Sequence, residues 1–151
     1  MASRMGRGRR RPKGRKALVA RLMAEMGWDD PKLAQAALEI TLRCLKDVLL
    51  PVEAVRFASL FPRPLKKALE AAVSRPPPRG HELSLREFFG RLDGSLAERH
   101  LDAPPGKLAR SVAQSLGSIL TEGDLEFLRR SFPPEFEGIW PAQEPPDPHL
   151  R

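Results

Sequence analysis

The chain has 151 residues, is 41% hydrophobic, and carries a formal charge of +7 at pH 7, with one cysteine and no tyrosine. That length suits one ordinary domain with tails, long enough to bury a core. No apolar run approaches the roughly 18 residues of a membrane span, and a single cysteine excludes an internal disulfide and fits a reducing cytoplasm.

Residues 1–16, MASRMGRGRRRPKGRK, hold eight cations and no acid: Arg4, Arg7, Arg9, Arg10, Arg11, Lys13, Arg15 and Lys16. The other 135 residues hold 18 basic side chains (26 less these eight) against 19 acidic ones, so the excess charge lies in this arm. Like charges interleaved with glycine bury no apolar surface, which predicts a disordered, solvated arm. The stretch ALVARLMAEMG that follows carries Arg21 and Glu25 where a secretory signal needs an apolar run. Gly6, Gly8, Pro12 and Gly14 oppose the amphipathic helix of a transit peptide.

From residue 17 the pattern is helical. Leu18, Leu22 and Met26 mark a first helix. Residues 32–50 set Leu33, Ala37, Ile40, Thr41, Cys44, Leu45 and Val48 on one face and Lys32, Gln35, Glu39, Arg43, Lys46 and Asp47 on the other. Pro51 fits the first position of a new helix, where a missing N–H costs nothing. That helix turns Ala54, Phe57, Ala58 and Phe61 inward until Pro62, and Pro64 opens a short helix through Leu65, Ala68, Leu69 and Ala72.

The same pattern returns 71 residues later. Leu45 answers to Leu116, Val48 to Ile119, Leu49 to Leu120, Glu53 to Asp124, Phe57 to Leu128, Leu65 to Phe136 and Leu69 to Trp140. Phe61-Pro62 returns as Phe132-Pro133, and with the offset reduced by one Leu18, Leu22 and Met26 lie over Phe88, Leu92 and Leu96. Ser84 and Glu87 have capping-box spacing, and Thr121 with Asp124 gives a similar cap. The prediction is an all-α bundle of about six helices, built from two pseudo-repeated three-helix halves at 17–73 and 81–140. A stiff proline-rich linker at 74–80 joins them, and residues 141–151 form a disordered Pro-rich tail.

The segment LARSVAQSLGSILTEGDLEFLRRSFPPEFEGIW resembles the second half of the bacterial domain-of-unknown-function family 2267. ALEITLRCLKDVLLPVEAVRFASLFPRPLKKAL resembles its first half, and SLREFFGRL is similar to the short helix between them. The resemblance covers roughly residues 17–140 and implies an all-helical, cytoplasmic bacterial protein; it carries over no activity and no catalytic residue. It departs where members follow the first-half Leu-Pro with a glycine- and tyrosine-rich stretch ending in Trp. Here Leu65 to Pro78 contain no tyrosine.

No catalytic constellation emerges. His81, His100 and His149 lie far apart, and one cysteine with no His pair at helical spacing is a poor start for a zinc site. Cys44 falls on an apolar helix face, where a buried cysteine acts as a small hydrophobe. Asp29-Asp30 and Glu135/Glu137 sit at helix starts and suit capping. Trp28 and Trp140 close related segments and suit the core. Neither a Walker loop nor GxGxxG occurs. The expectation is no enzyme activity and no cofactor or metal.

The arm points to a partner. Its arginines suit phosphate backbones, and the lack of an aromatic residue argues against base stacking or sequence readout. Non-specific nucleic acid, DNA or RNA, is the leading partner. An anionic membrane surface, an acidic protein and a purely solubilising role stand beside it. Residues 17–79 carry +3 and residues 80–151 carry −4. Arg63, Lys66 and Lys67 share one helix face in the basic half; such a charge run is usually a solvated face, and the functional reading is that it extends the arm's footprint. The arm could also fold back on the acidic half. The competing function is a protein–protein interaction or regulatory adaptor.

Overall fold

The structure, a computed structural model, describes residues 14–71 and 83–141. Arg4 to Lys13, the 74–80 linker, His81, His149 and residues 142–151 of the expected tail lie outside the described residues. Among the described residues seven α-helices and one 3-10 helix occur and no strand, so this part of the chain is all-helical. The helices are α1 (Arg15–Met26), α2 (Pro31–Lys46), α3 (Pro51–Ser59), α4 (Arg63–Ala71), α5 (Leu85–Glu98), α6 (Pro105–Gly117) and α7 (Glu122–Ser131), followed by the 3-10 helix Pro134–Ile139. Each half thus contributes four helical segments where three were expected.

Local chemistry sets the boundaries. The Asp30 carboxylate accepts from the Lys32 and Leu33 amides at 3.0 and 3.4 Å, and Pro31 follows at the first helical position. Ser84 and Glu87 form the capping box reciprocally, at 3.0 and 2.9 Å, and the Thr121 hydroxyl accepts from the Asp124 amide at 3.1 Å. Gly27 ends α1 with φ of 72°, a left-handed conformation that a side chain would strain.

Two sequence-predicted spans are longer than the helices found. α2 stops at Lys46, and Val48 and Leu49 are buried in the turn beyond it. The residue before a proline avoids helical backbone; Leu50 is extended at φ −67° and ψ 157°, so no continuous helix can pass into α3. α3 ends at Ser59, leaving Phe61 buried after the helix. Arg15 and Lys16, expected in the disordered arm, form the first turn of α1 instead. Pro141, expected in the tail, is half-buried and accepts at its carbonyl from Arg129 Nη2 at 3.1 Å.

The core is organised around α2, which packs against α1, α3, α4, α5 and α6. It buries Ala34, Ala37, Leu38, Ile40, Thr41, Leu42, Cys44 and Leu45, a stripe far wider than a surface helix shows. The halves are interleaved: α1 packs on α6 and α5 packs on α2, while α2 and α6 touch each other. Both helices bury small residues, Ala34 and Ala37 on α2 and Ala109, Ser111, Ala113 and Ser115 on two faces of α6. The buried hydroxyls of Thr41 and Ser115 are satisfied one turn back, donating to the Ala37 and Ser111 carbonyls at 2.8 Å each.

Five of the pairs set by the 71-residue offset are buried at both positions, whereas Val48 and Leu49 are buried and their counterparts Ile119 and Leu120 only half-buried. Leu45 and Leu116, Phe57 and Leu128, Phe61 and Phe132, Leu65 and Phe136, and Leu69 and Trp140 are all buried. An aromatic chain runs through the second half, Phe89–Phe88–Phe136–Phe132–Trp140, with successive ring centroids 5.2–5.7 Å apart. At Gly117, the last residue of α6, a Cβ would lie 3.0 Å from the Pro141 ring, so the close approach of Pro141 suits glycine there.

Candidate nucleic-acid interface

Of the eleven cations singled out in the sequence, five are described. The short helix α4 brings three together. Leu65 and Leu69 anchor it in the core, and Lys46 Nζ from α2 donates to the Leu69 carbonyl, tying the end of α4 down. On an ideal helix residues 63 and 67 lie about 40° apart and opposite Leu65 and Leu69, whereas residue 66 lies about 100° from 67, on the flank toward Leu69. Arg63 and Lys67 are exposed, whereas Lys66 is half-buried and lies 3.9 Å from Glu70 one turn on.

Arg15 and Lys16 occupy the amino-terminal turn of α1, with Lys16 exposed and Arg15 half-buried. The amino-terminal residue Gly14 supplies no side-chain cap and the turn contains no acid. Cations there oppose the helix dipole, while an anion at the same end is favoured.

Sequence reasoning missed a cleft between α3 and α7. It measures about 380 Å³ and is lined by Glu53, Arg56, Gly123, Phe127, Arg130 and Ser131. The Arg56 guanidinium lies over the Phe127 ring, 4.1 Å from its centroid. Positions 56 and 127 are themselves 71 apart, which was the available signal; an arginine facing a phenylalanine is invisible to an alignment of apolar residues. Beside the cleft α3 exposes an apolar edge, with Leu50 43%, Val52 77% and Val55 66% accessible.

A second polar cluster joins α2 to α5. Arg91 Nη1 reaches Asp47 Oδ2 at 3.4 Å, Cys44 hydrogen-bonds with the Ser95 side chain, and Arg43 Nε is buried without a hydrogen-bond partner. Burial pushes the Cys44 thiol up to about 11 from 9.0, helped by Asp47 and opposed by Ser95, Arg91 and Arg43. A neutral thiol favours the fold below pH 9.0, and that contribution is lost as the pH rises through about 11. At pH 8 the folded thiolate fraction is about 100-fold below that of an unperturbed thiol. Alkylation of native protein at pH 8 should therefore be slower than in denaturant by at least about that factor; equal rates would contradict the buried assignment.

Among the described residues no group of three or more His, Cys, Asp or Glu could hold a metal, and His100 is exposed at the end of α5 with φ of 57°. No described helix is long and apolar enough to cross a membrane. Trp140 is buried and Trp28 half-buried against the core, the structural roles expected of them.

No curated protein matches the chain. The sequence model of a family described as an uncharacterized conserved protein, DUF2267, matches residues 15–139, beginning where α1 begins and ending where the 3-10 helix ends. That match spans the entire helical body, and the chain therefore belongs to the DUF2267 family.

Proposed function

We propose that this chain is a non-enzymatic nucleic-acid-associated protein of the bacterial cytoplasm. Residues 1–16 hold the phosphate backbone of DNA or RNA without sequence preference, and the helical body engages a protein partner. The observation that carries this reading is the distribution of charge: eight cations in sixteen residues, on a remainder that is nearly neutral. Each neutralised phosphate releases condensed counterions, which makes such an arm an effective backbone ligand. Two placements support it. Arg15 and Lys16 stand at a helix end that favours an anion, and Arg63 and Lys67 project from α4 to lengthen the footprint.

A mobility-shift titration of the full chain and a variant lacking residues 2–16 tests the proposal. The full chain should retard both duplex DNA and RNA at low salt, and the deletion should abolish retardation. Absence of any shift, or a shift that survives the deletion, refutes it. A regulatory adaptor is the second reading, favoured by the exposed valines of α3. It is supported if one stoichiometric protein partner is recovered in a pull-down that nuclease treatment leaves unchanged.

A further inference from the structure

The outer edge of α3 is apolar without serving the core. The helix buries Phe57 and Ala58, yet Val52 and Val55 stand 77% and 66% accessible. The fold does not require apolar residues there. In α7, the helix 71 positions on, the corresponding residues are Gly123 and Glu126, both exposed. An apolar edge kept at one position and absent from its counterpart marks a docking surface rather than a packing requirement.

The charges beside the valines identify the occupant. Glu53 and Arg56 follow Val52 and Val55 by one residue each, so an acid and a base lie one turn apart along the same flank. A two-fold axis pairs such a flank with itself in the antiparallel sense, setting Glu53 of one copy against Arg56 of the other, twice. The same operation brings Val52 of each copy toward Val55 of the other. Arg56 is already held by the Phe127 ring, so little of its side-chain freedom remains to be lost. We infer that α3 is the self-association surface of this protein, an antiparallel pair of α3 helices with a valine seam and reciprocal Glu53–Arg56 contacts. It does not depend on the nucleic-acid reading.

The seam is short, which sets the affinity in the weak, transient class, on the order of 100 µM. Sedimentation of the full chain, freed of nucleic acid, from about 5 µM to 1 mM spans that range on both sides. The mass should climb from 16.9 kDa toward twice that value. Val55→Asp should weaken association at least about tenfold by burying a charge against valine; at an exposed position it should leave the melting temperature unchanged. Glu53→Arg and Arg56→Glu should each associate poorly alone, and an equimolar mixture should recover a heterodimer. That recovery cannot come from a merely sticky surface. A wild-type chain that stays monomeric at 1 mM, whether or not a different protein covers α3, overturns the inference. So does a Val55→Asp chain that dimerises as well as wild type, or a mixture that gains nothing over its components.

Discussion

Replacing Phe88 by alanine should destabilise the protein by about 4 kcal/mol, the middle of the range for a fully buried phenylalanine. Phe88 has no accessible surface and lies between Phe89 and Phe136, with centroids 5.4 and 5.5 Å away. Its neighbours belong to two segments, α5 and the 3-10 helix, and each is held by further contacts. The space left by the ring therefore collapses only in part, and a cavity penalty adds to the lost transfer energy. For a chain of this size the melting temperature should fall by roughly 8–16 °C. Phe89→Ala is the internal comparison, because Phe89 is half-buried and removing it opens onto solvent. Equal shifts for the two variants, read by circular dichroism, would show that the aromatic chain is not the anchor described.

Affinity for duplex DNA should fall by about 10⁴-fold between 50 and 200 mM salt if all eight arm cations reach phosphates. The slope of log affinity against log salt would then approach −7, from about 0.9 per contact on a duplex; single strands, at about 0.7 per contact, should give a shallower line. Arg63→Ala and Lys67→Ala together should flatten the duplex slope by at most about 2, since each removes one contact. A slope near zero would mean that whatever retards the nucleic acid is not phosphate neutralisation. An unchanged slope in the double variant would confine the footprint to the arm.

Much of the architecture was legible because this chain punctuates its helices with residues whose backbone preferences are strong. Pro31 and Pro51 occupy first helical positions, and Ser84 with Glu87 forms the box that its spacing announced. Periodicity found the core face, and Leu18, Leu22, Phe57, Leu65, Phe88 and Leu116 are all completely buried. Helix ends were less legible. That the helix cannot run on into α3 follows from Leu50 being forced into extended backbone before Pro51, a constraint that apolar periodicity overlooks. Arg15 and Lys16 were misassigned because their charge matches the arm, while their backbone belongs to α1. The α3–α7 cleft and the Asp47–Arg91 pair were out of reach, the latter joining residues 44 apart whose partnership exists only once helices cross.

The interleaving of the two halves also bears on how the chain is made. α1 is covered by α6, which ends only at Gly117, so the apolar stripe of Leu18, Val19 and Leu22 has no complete cover until residue 117 has been synthesised. α2 likewise waits for α5. The first half leaves the ribosome unable to complete its own core, and it must stay unaggregated until the second half arrives. Burial of α1 therefore waits for α6 to be made, and a chain truncated before α6 should be a substrate for chaperones or proteases rather than a small folded protein.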